Sequence, residues 1–228
     1  MLFFKSSSTP PDVASLRENG DAMGLVRALK YKKDPVIRAA AADGLGAKFD
    51  FKAIGQWASL GLRMVGLQNV APSDRGRTVA DSFKPYLENR PAKVLSALTS
   101  ALGDTDAAVR AGAAKALGRM WCKPGTLKAY SGNVIRFLQP YEFAQIERSV
   151  VAVRSDASAL QALLGRLQDG DAAVRSAAVE ALKETREAAA VSGLARAEES
   201  DPDTDIREAA GRAVEMLAAI ANRERSGQ

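Results

Sequence analysis

The residues of this chain that could carry chemistry are few, and the first observation is an absence. The 228 residues include no histidine and a single cysteine, Cys122. Without histidine there is no His-based triad, no His metal ligand, and no side chain that ordinarily titrates near neutral pH. Cys122 has no second thiol to pair with, which excludes an intramolecular disulfide and fits a reducing compartment. It also lacks a His partner, so neither nucleophilic catalysis nor metal binding is expected of it. No catalytic residues, metal ligands or cofactor are therefore assigned.

What remains is charge and aromatic surface. Aspartate and arginine recur at i and i+4 in Asp34/Arg38, Asp106/Arg110, Asp171/Arg175 and Asp203/Arg207. These pairs read either as an anion-binding ladder or as scaffold, pairing on a helix or bridging neighbouring turns. The scaffold reading is the stronger, because regularly repeated residues usually serve the stack. Trp57 and Trp121 both interrupt the repeat pattern described below. Each is either a core filler or a recognition anchor, since Trp and Arg dominate binding hot spots.

Charge is unevenly spread. Residues 1–47 carry a net +2, residues 48–136 a net +8, and residues 137–228 a net −5, within a total of +5. A basic centre attracts an acidic protein surface or a phosphate backbone, and is equally compatible with a solvated face. The candidate partner-binding residues are Trp57, Arg63, Arg75, Arg77, Trp121, Lys123 and Lys128. The modest total argues against sequence-independent nucleic-acid binding as the main role.

The elements that position these residues are repeats. DAAVRSAAVEAL at 171–182 has close copies at 106–117 (DAAVRAGAAKAL), 34–45 (DPVIRAAAADGL) and 203–214 (DTDIREAAGRAV). Counting the leading Asp as zero, positions +3, +6, +7, +10 and +11 are apolar or Gly, which is one stripe of a 3.6-period helix. Position +9 holds Asp43, Lys115, Glu180 and Arg212, so it should face water. The leading Asp suits an N-cap, and Pro35 suits the first helical position. An apolar segment precedes each copy, for example Val94, Leu95, Leu98 and Leu102. The unit is thus a helical hairpin. Its Ala- and Gly-rich stripe offers too little apolar area to be buried alone, and stacking in an array solves that problem.

An apolar first helix, a turn with Asp, then Val-Arg and Ala-Ala-x-x-Ala-Leu resembles the short HEAT-like repeat, the variety found in phycobilin lyases. The resemblance implies an all-α, right-handed α-solenoid, an armadillo-like superhelix. It further implies a non-enzymatic scaffold that binds a protein or peptide on its concave face. The HEAT-like hydroxylase of a translation factor depends on His-Glu metal motifs, which a chain without histidine lacks. HEAT-like DNA glycosylases for alkylated bases supply the alternative, nucleic-acid binding through the basic central repeats. No motif of theirs aligns here residue by residue. Chromophore lyase activity rests on the repeat alone, and fold does not imply function.

In chain order, one domain is expected over 1–228, with tails at 1–18 and 223–228 and a short capping helix near Asp12 to Arg17. Residues 48–90 and 121–154 break the pattern. From Arg38 to Arg110 is 72 residues, from Arg110 to Arg175 is 65, and from Arg175 to Arg207 is 32. Each long interval would then hold one degenerate unit, giving about six hairpins. The segment before Lys5 is too short for a signal peptide, and no apolar run approaches the roughly 20 residues of a membrane span. A cytoplasmic location is expected, with oligomeric state left open.

Overall fold

In a computed structural model of the protein, residues 9–49, 91–121 and 157–225 are described, and all regular structure among them is helical. A short helix α1, Val13–Glu18, leads into four hairpins. These are α2 (Ala22–Ala28) with α3 (Pro35–Lys48), and α4 (Pro91–Ala101) with α5 (Ala107–Met120). They are followed by α6 (Ala157–Arg166) with α7 (Ala172–Thr185), and by α8 (Val191–Ser200) with α9 (Thr204–Arg225). The array is an α-solenoid. Among the described residues no helix is long and apolar enough to cross a membrane.

Each second helix starts where the leading aspartate caps it. The Asp106 Oδ1 accepts the N–H groups of Ala108 at 2.9 Å and Val109 at 3.3 Å. Asp171 does the same for Ala173 and Val174, and Asp203 for Asp205 and Ile206. Asp34 accepts from Val36 at 2.8 Å, with Pro35 in the first turn where its missing N–H costs nothing. Such a cap contributes about 1 kcal/mol. The stripe then does what its spacing dictates. Val109, Ala113 and Leu117 are buried, as are Val174, Ala178 and Leu182, against a first-helix layer that includes Leu25, Leu98, Leu163 and Leu194. The four +9 residues are all exposed.

The second helices α3, α5 and α7 lie unusually close because small residues face each other. A Cβ built on Gly46 would stand 2.8 Å from the Ala116 Cα, and one built on Gly118 would stand 2.8 Å from the Ala181 Cα. Both glycines occupy position +12, and both alanines +10 of the following unit. Backbones approach to a distance that no larger side chain would allow. The first helices touch one another far less than the second helices do.

This packing sets the described hairpins side by side. Helix α3 packs directly on α5, and α5 directly on α7, with no unit between them. The segments at 48–90 and 121–154, read from spacing as stacked degenerate units, do not separate their flanking hairpins. Apart from their edges they lie outside the described residues. Four contiguous hairpins form the described stack.

The two ends are closed differently. At the first, α1 packs on α2 and α3, with the Arg17 stem lying over Gly44, as expected of a capping helix. At the other, α9 carries Glu208 and Glu215 at positions +5 and +12, where α5 has Ala111 and Gly118. A polar outer face is what a terminal repeat needs. Helix α9 continues through Arg225.

Candidate interaction surfaces and the ion-pair ladder

The repeated arginines are engaged between units, not within them. Arg38 donates from Nε and Nη2 to the two carboxylate oxygens of Asp104, both at 2.8 Å. Arg110 makes the same fork to Asp169 at 2.9 and 2.7 Å, and Arg175 to Asp201 at 2.8 and 3.2 Å. The remaining Nη1 of each staples its own hairpin loop, donating to a backbone carbonyl of Tyr31, Asp104 or Asp169. One guanidinium thus ties its own loop to the next one. The i, i+4 partners foreseen as one option, such as Asp106 for Arg110, act instead as helix caps.

The acceptor aspartates sit two residues before each cap, in the loop pattern Asp-x-Asp: 104–106, 169–171 and 201–203. The first Asp of each also accepts the N–H of the second, at 2.9, 3.1 and 2.9 Å in turn. Carboxylate, loop and neighbouring arginine are fixed together. Sequence reasoning took these loops only as turns. The signal was present in the recurrence of Asp at −2, and in its replacement by Lys32 in the first unit, which has no preceding repeat to supply a +4 arginine.

These pairs are largely removed from water, with side-chain exposures of 15 % for Asp104, 4 % for Asp169 and 2 % for Asp201. The hydrogen bond from Arg38 holds the Asp104 carboxyl below its ordinary pKa, against burial, and Arg110 does so for Asp169. At Asp201 burial, pushing upward, is the largest single influence. It is outweighed by the Arg175 bond together with the Asp203 N–H and the nearby positive charge, so that pKa too is lowered. All three carboxylates are held ionised. Arg207 closes the series with no carboxylate partner among the described residues, donating to the Asp201 carbonyl at 2.7 Å and to the Thr204 hydroxyl.

The second helices also have a face turned away from the first helices. Across it runs the +9 row, Asp43, Lys115, Glu180 and Arg212, alternating in sign. Beside it are the exposed +2 residues Val36, 72 % exposed, Ala108 and Ala173. Arg119 bridges to Asp43 of the preceding unit at 3.2 Å. On the other side, shallow clefts separate the first helices. One of about 380 Å³ lies between α2 and α4 and is lined by Lys30, Lys93, Ser96 and Ser100. Another of about 420 Å³ lies between α6 and α8, with Arg196 on its wall and the Arg175–Asp201 pair among its lining residues. Among the described residues no cluster of His, Cys, Asp and Glu could hold a metal ion.

Of the seven residues singled out from sequence, Trp57, Arg63, Arg75, Arg77, Lys123 and Lys128 lie outside the described residues. Trp121 is described and is 3 % exposed. Its ring follows the last turn of α5 and belongs to the core, so it is not the exposed anchor that partner binding would need. Phe49, at the same +15 position of the first unit, is fully buried too. Both units thus bury an aromatic ring after the last turn of the second helix, whereas the third unit has Arg186 there and continues at once into a 3-10 turn, Ala188–Ala190.

Comparison with known families matches residues 149–215 to a family described as HEAT repeats and residues 94–121 to one described as HEAT repeat. The second match covers α4 and α5, and the first runs through α6, α7 and α8 into α9. No curated protein sequence matches the chain. Among solved structures, it is similar to the crystal structure of an engineered protein. That likeness is at 18% identity over 87% of this chain and 97% of the other, with a TM-score of 0.28.

Proposed function

We propose, from the premise that this chain is a HEAT-repeat protein, that it is a non-enzymatic scaffold binding a protein or peptide along the second-helix face. HEAT repeats commonly mediate protein–protein interaction. The observation that carries the reading is the division of labour among the charged groups. The repeated Asp and Arg side chains are locked into the stack, while Asp43, Lys115, Glu180 and Arg212 stand free of the ladder in an exposed row. The closer approach of the second helices supports a curvature that puts this row on the concave side. Alternating charge beside small apolar residues suits a folded or extended polypeptide better than a uniformly anionic backbone.

The residues Trp57, Arg63, Arg75, Arg77, Lys123 and Lys128 remain part of the proposal, as basic and aromatic groups adding affinity for a partner with an acidic surface. The nucleic-acid alternative, with its kinship to alkylbase glycosylases, gains no support from the described residues, since Trp121 is buried. A cytoplasmic setting suits the single thiol. The test is affinity capture from the native cell with the wild-type chain, with Lys115→Glu/Glu180→Lys, and with Arg75→Glu/Arg77→Glu. Loss of the captured protein at an unchanged melting temperature supports the surface. Equal capture by all three overturns it.

A further inference from the structure

We propose that the hairpin-loop edge of the solenoid pairs with the same edge of a second copy, antiparallel and about a two-fold axis. The ladder fixes this edge, because each rung joins one hairpin loop to the next. All four loops that join a first helix to its second helix therefore lie along it in order. The first carries Lys30, Lys32 and Lys33, all exposed and none in an ion pair among the described residues. The last, with the helix turns flanking it, carries Glu198, Glu199 and Asp205, equally exposed and equally free of ion pairs there. The same edge is basic at one end and acidic at the other.

The middle of the edge is built for approach. Its exposed residues include Gly103, Thr105, Gln168 and Gly170, and the carboxylates of Asp104 and Asp169 are neutralised by their arginines. With neighbouring helices about 10 Å apart, three steps separate the two charged ends by about 30 Å. Two edges laid antiparallel place each lysine cluster against the other copy's acidic cluster. Both contacts form at once, and the pairing closes on itself.

End-to-end stacking does not satisfy the same charges. There α1 covers one end and Glu208 and Glu215 project from the other. Continuing the ladder would also bring Lys32, at the −2 position, toward Arg207 in place of the aspartate that every other rung uses. The charges favour sideways pairing and oppose polymerisation.

The test needs no outside partner: mass by light scattering, and by sedimentation velocity, at low ionic strength over a range of protein concentration. A concentration-dependent dimer is expected, weakening on the order of ten-fold or more as salt approaches 1 M, where screening falls to about 3 Å. Lys30→Glu/Lys32→Glu/Lys33→Glu and Glu198→Lys/Glu199→Lys/Asp205→Lys should each be monomeric when alone and should form a heterodimer when mixed. None of the six residues belongs to a rung or caps a helix, and helical circular dichroism checks that each variant folds. Zero-length carbodiimide cross-linking of the wild type should join the lysine loop of one copy to the acidic loop of another. A wild type that stays monomeric at low salt overturns the proposal, as does a dimer unaffected by either triple reversal. A dimer that lengthens into higher oligomers overturns the two-fold geometry.

Discussion

Two junctions of the stack share one rung design and differ in tightness. Between α5 and α7 the fork from Arg110 to Asp169 is accompanied by Gly118 against Ala181. Between α7 and α9 the fork from Arg175 to Asp201 is just as complete, but position +12 is Lys183, and those two helices touch less extensively. The rung therefore does not depend on close helix contact. Register and spacing are separate devices: paired charge in the loops fixes which unit meets which, and small residues fix how near the helices come.

Removing a rung should have the largest effect. Asp169→Ala leaves the Arg110 guanidinium without its carboxylate in a nearly dry site and also removes the acceptor for Arg166 and for the Asp171 N–H. A loss of about 3–5 kcal/mol is expected from chemical denaturation. Asp201→Ala at the looser junction should cost a comparable amount. If it costs much less, rung and spacing are coupled after all.

Next comes the spacing itself. Gly118→Leu drives a side chain into the Ala181 backbone and should cost roughly 1–3 kcal/mol or more, whereas Lys183→Leu at the same repeat position should be nearly neutral. Equal effects at the two sites would erase the distinction drawn between the junctions. Deleting only a cap, as in Asp171→Ala, should cost about 1 kcal/mol, less than the rung two residues away.

Acid should act through the rungs. The carboxyls of Asp104, Asp169 and Asp201 titrate below their unfolded values, so their stabilisation is complete above about pH 4 and fades as pH falls through the lowered folded values. Thermal melts followed from pH 7 downward should keep the wild-type melting temperature on a plateau until that range. Asp169→Asn should show a shallower acid decline from a lower plateau. The smallest effect is expected on the open face: Lys115→Ala should shift stability by no more than about 0.5 kcal/mol.

Much of this was legible in the repeat. The Ala-rich stripe, the capping Asp and the exposed +9 residue all follow from periodicity within a single unit, where sequence neighbours are also spatial neighbours. What escaped crosses between units. The partner of Arg38 lies 66 residues away, and no pattern within one copy names it. Glycine at +12 falls after the matched twelve residues, and its role depends on an alanine in another hairpin. The count of six rested on chain length between markers, and the two units it added fall, apart from their edges, outside the described residues. Trp121 stands where the repeat pattern breaks and was weighed as an anchor for that reason, yet it is buried in the core at the end of α5.

The sequence separations of the rungs also bear on how the array assembles. The three forks close chain segments of 66, 59 and 26 residues, in order from the amino end. Loop-closure entropy rises with the logarithm of that span, so the first fork costs about 0.8 kcal/mol more to close than the third. The difference favours the carboxyl-terminal pair of hairpins as the first to order. The earlier hairpins then dock onto a surface already formed, and folding spreads toward the amino end against the direction of synthesis.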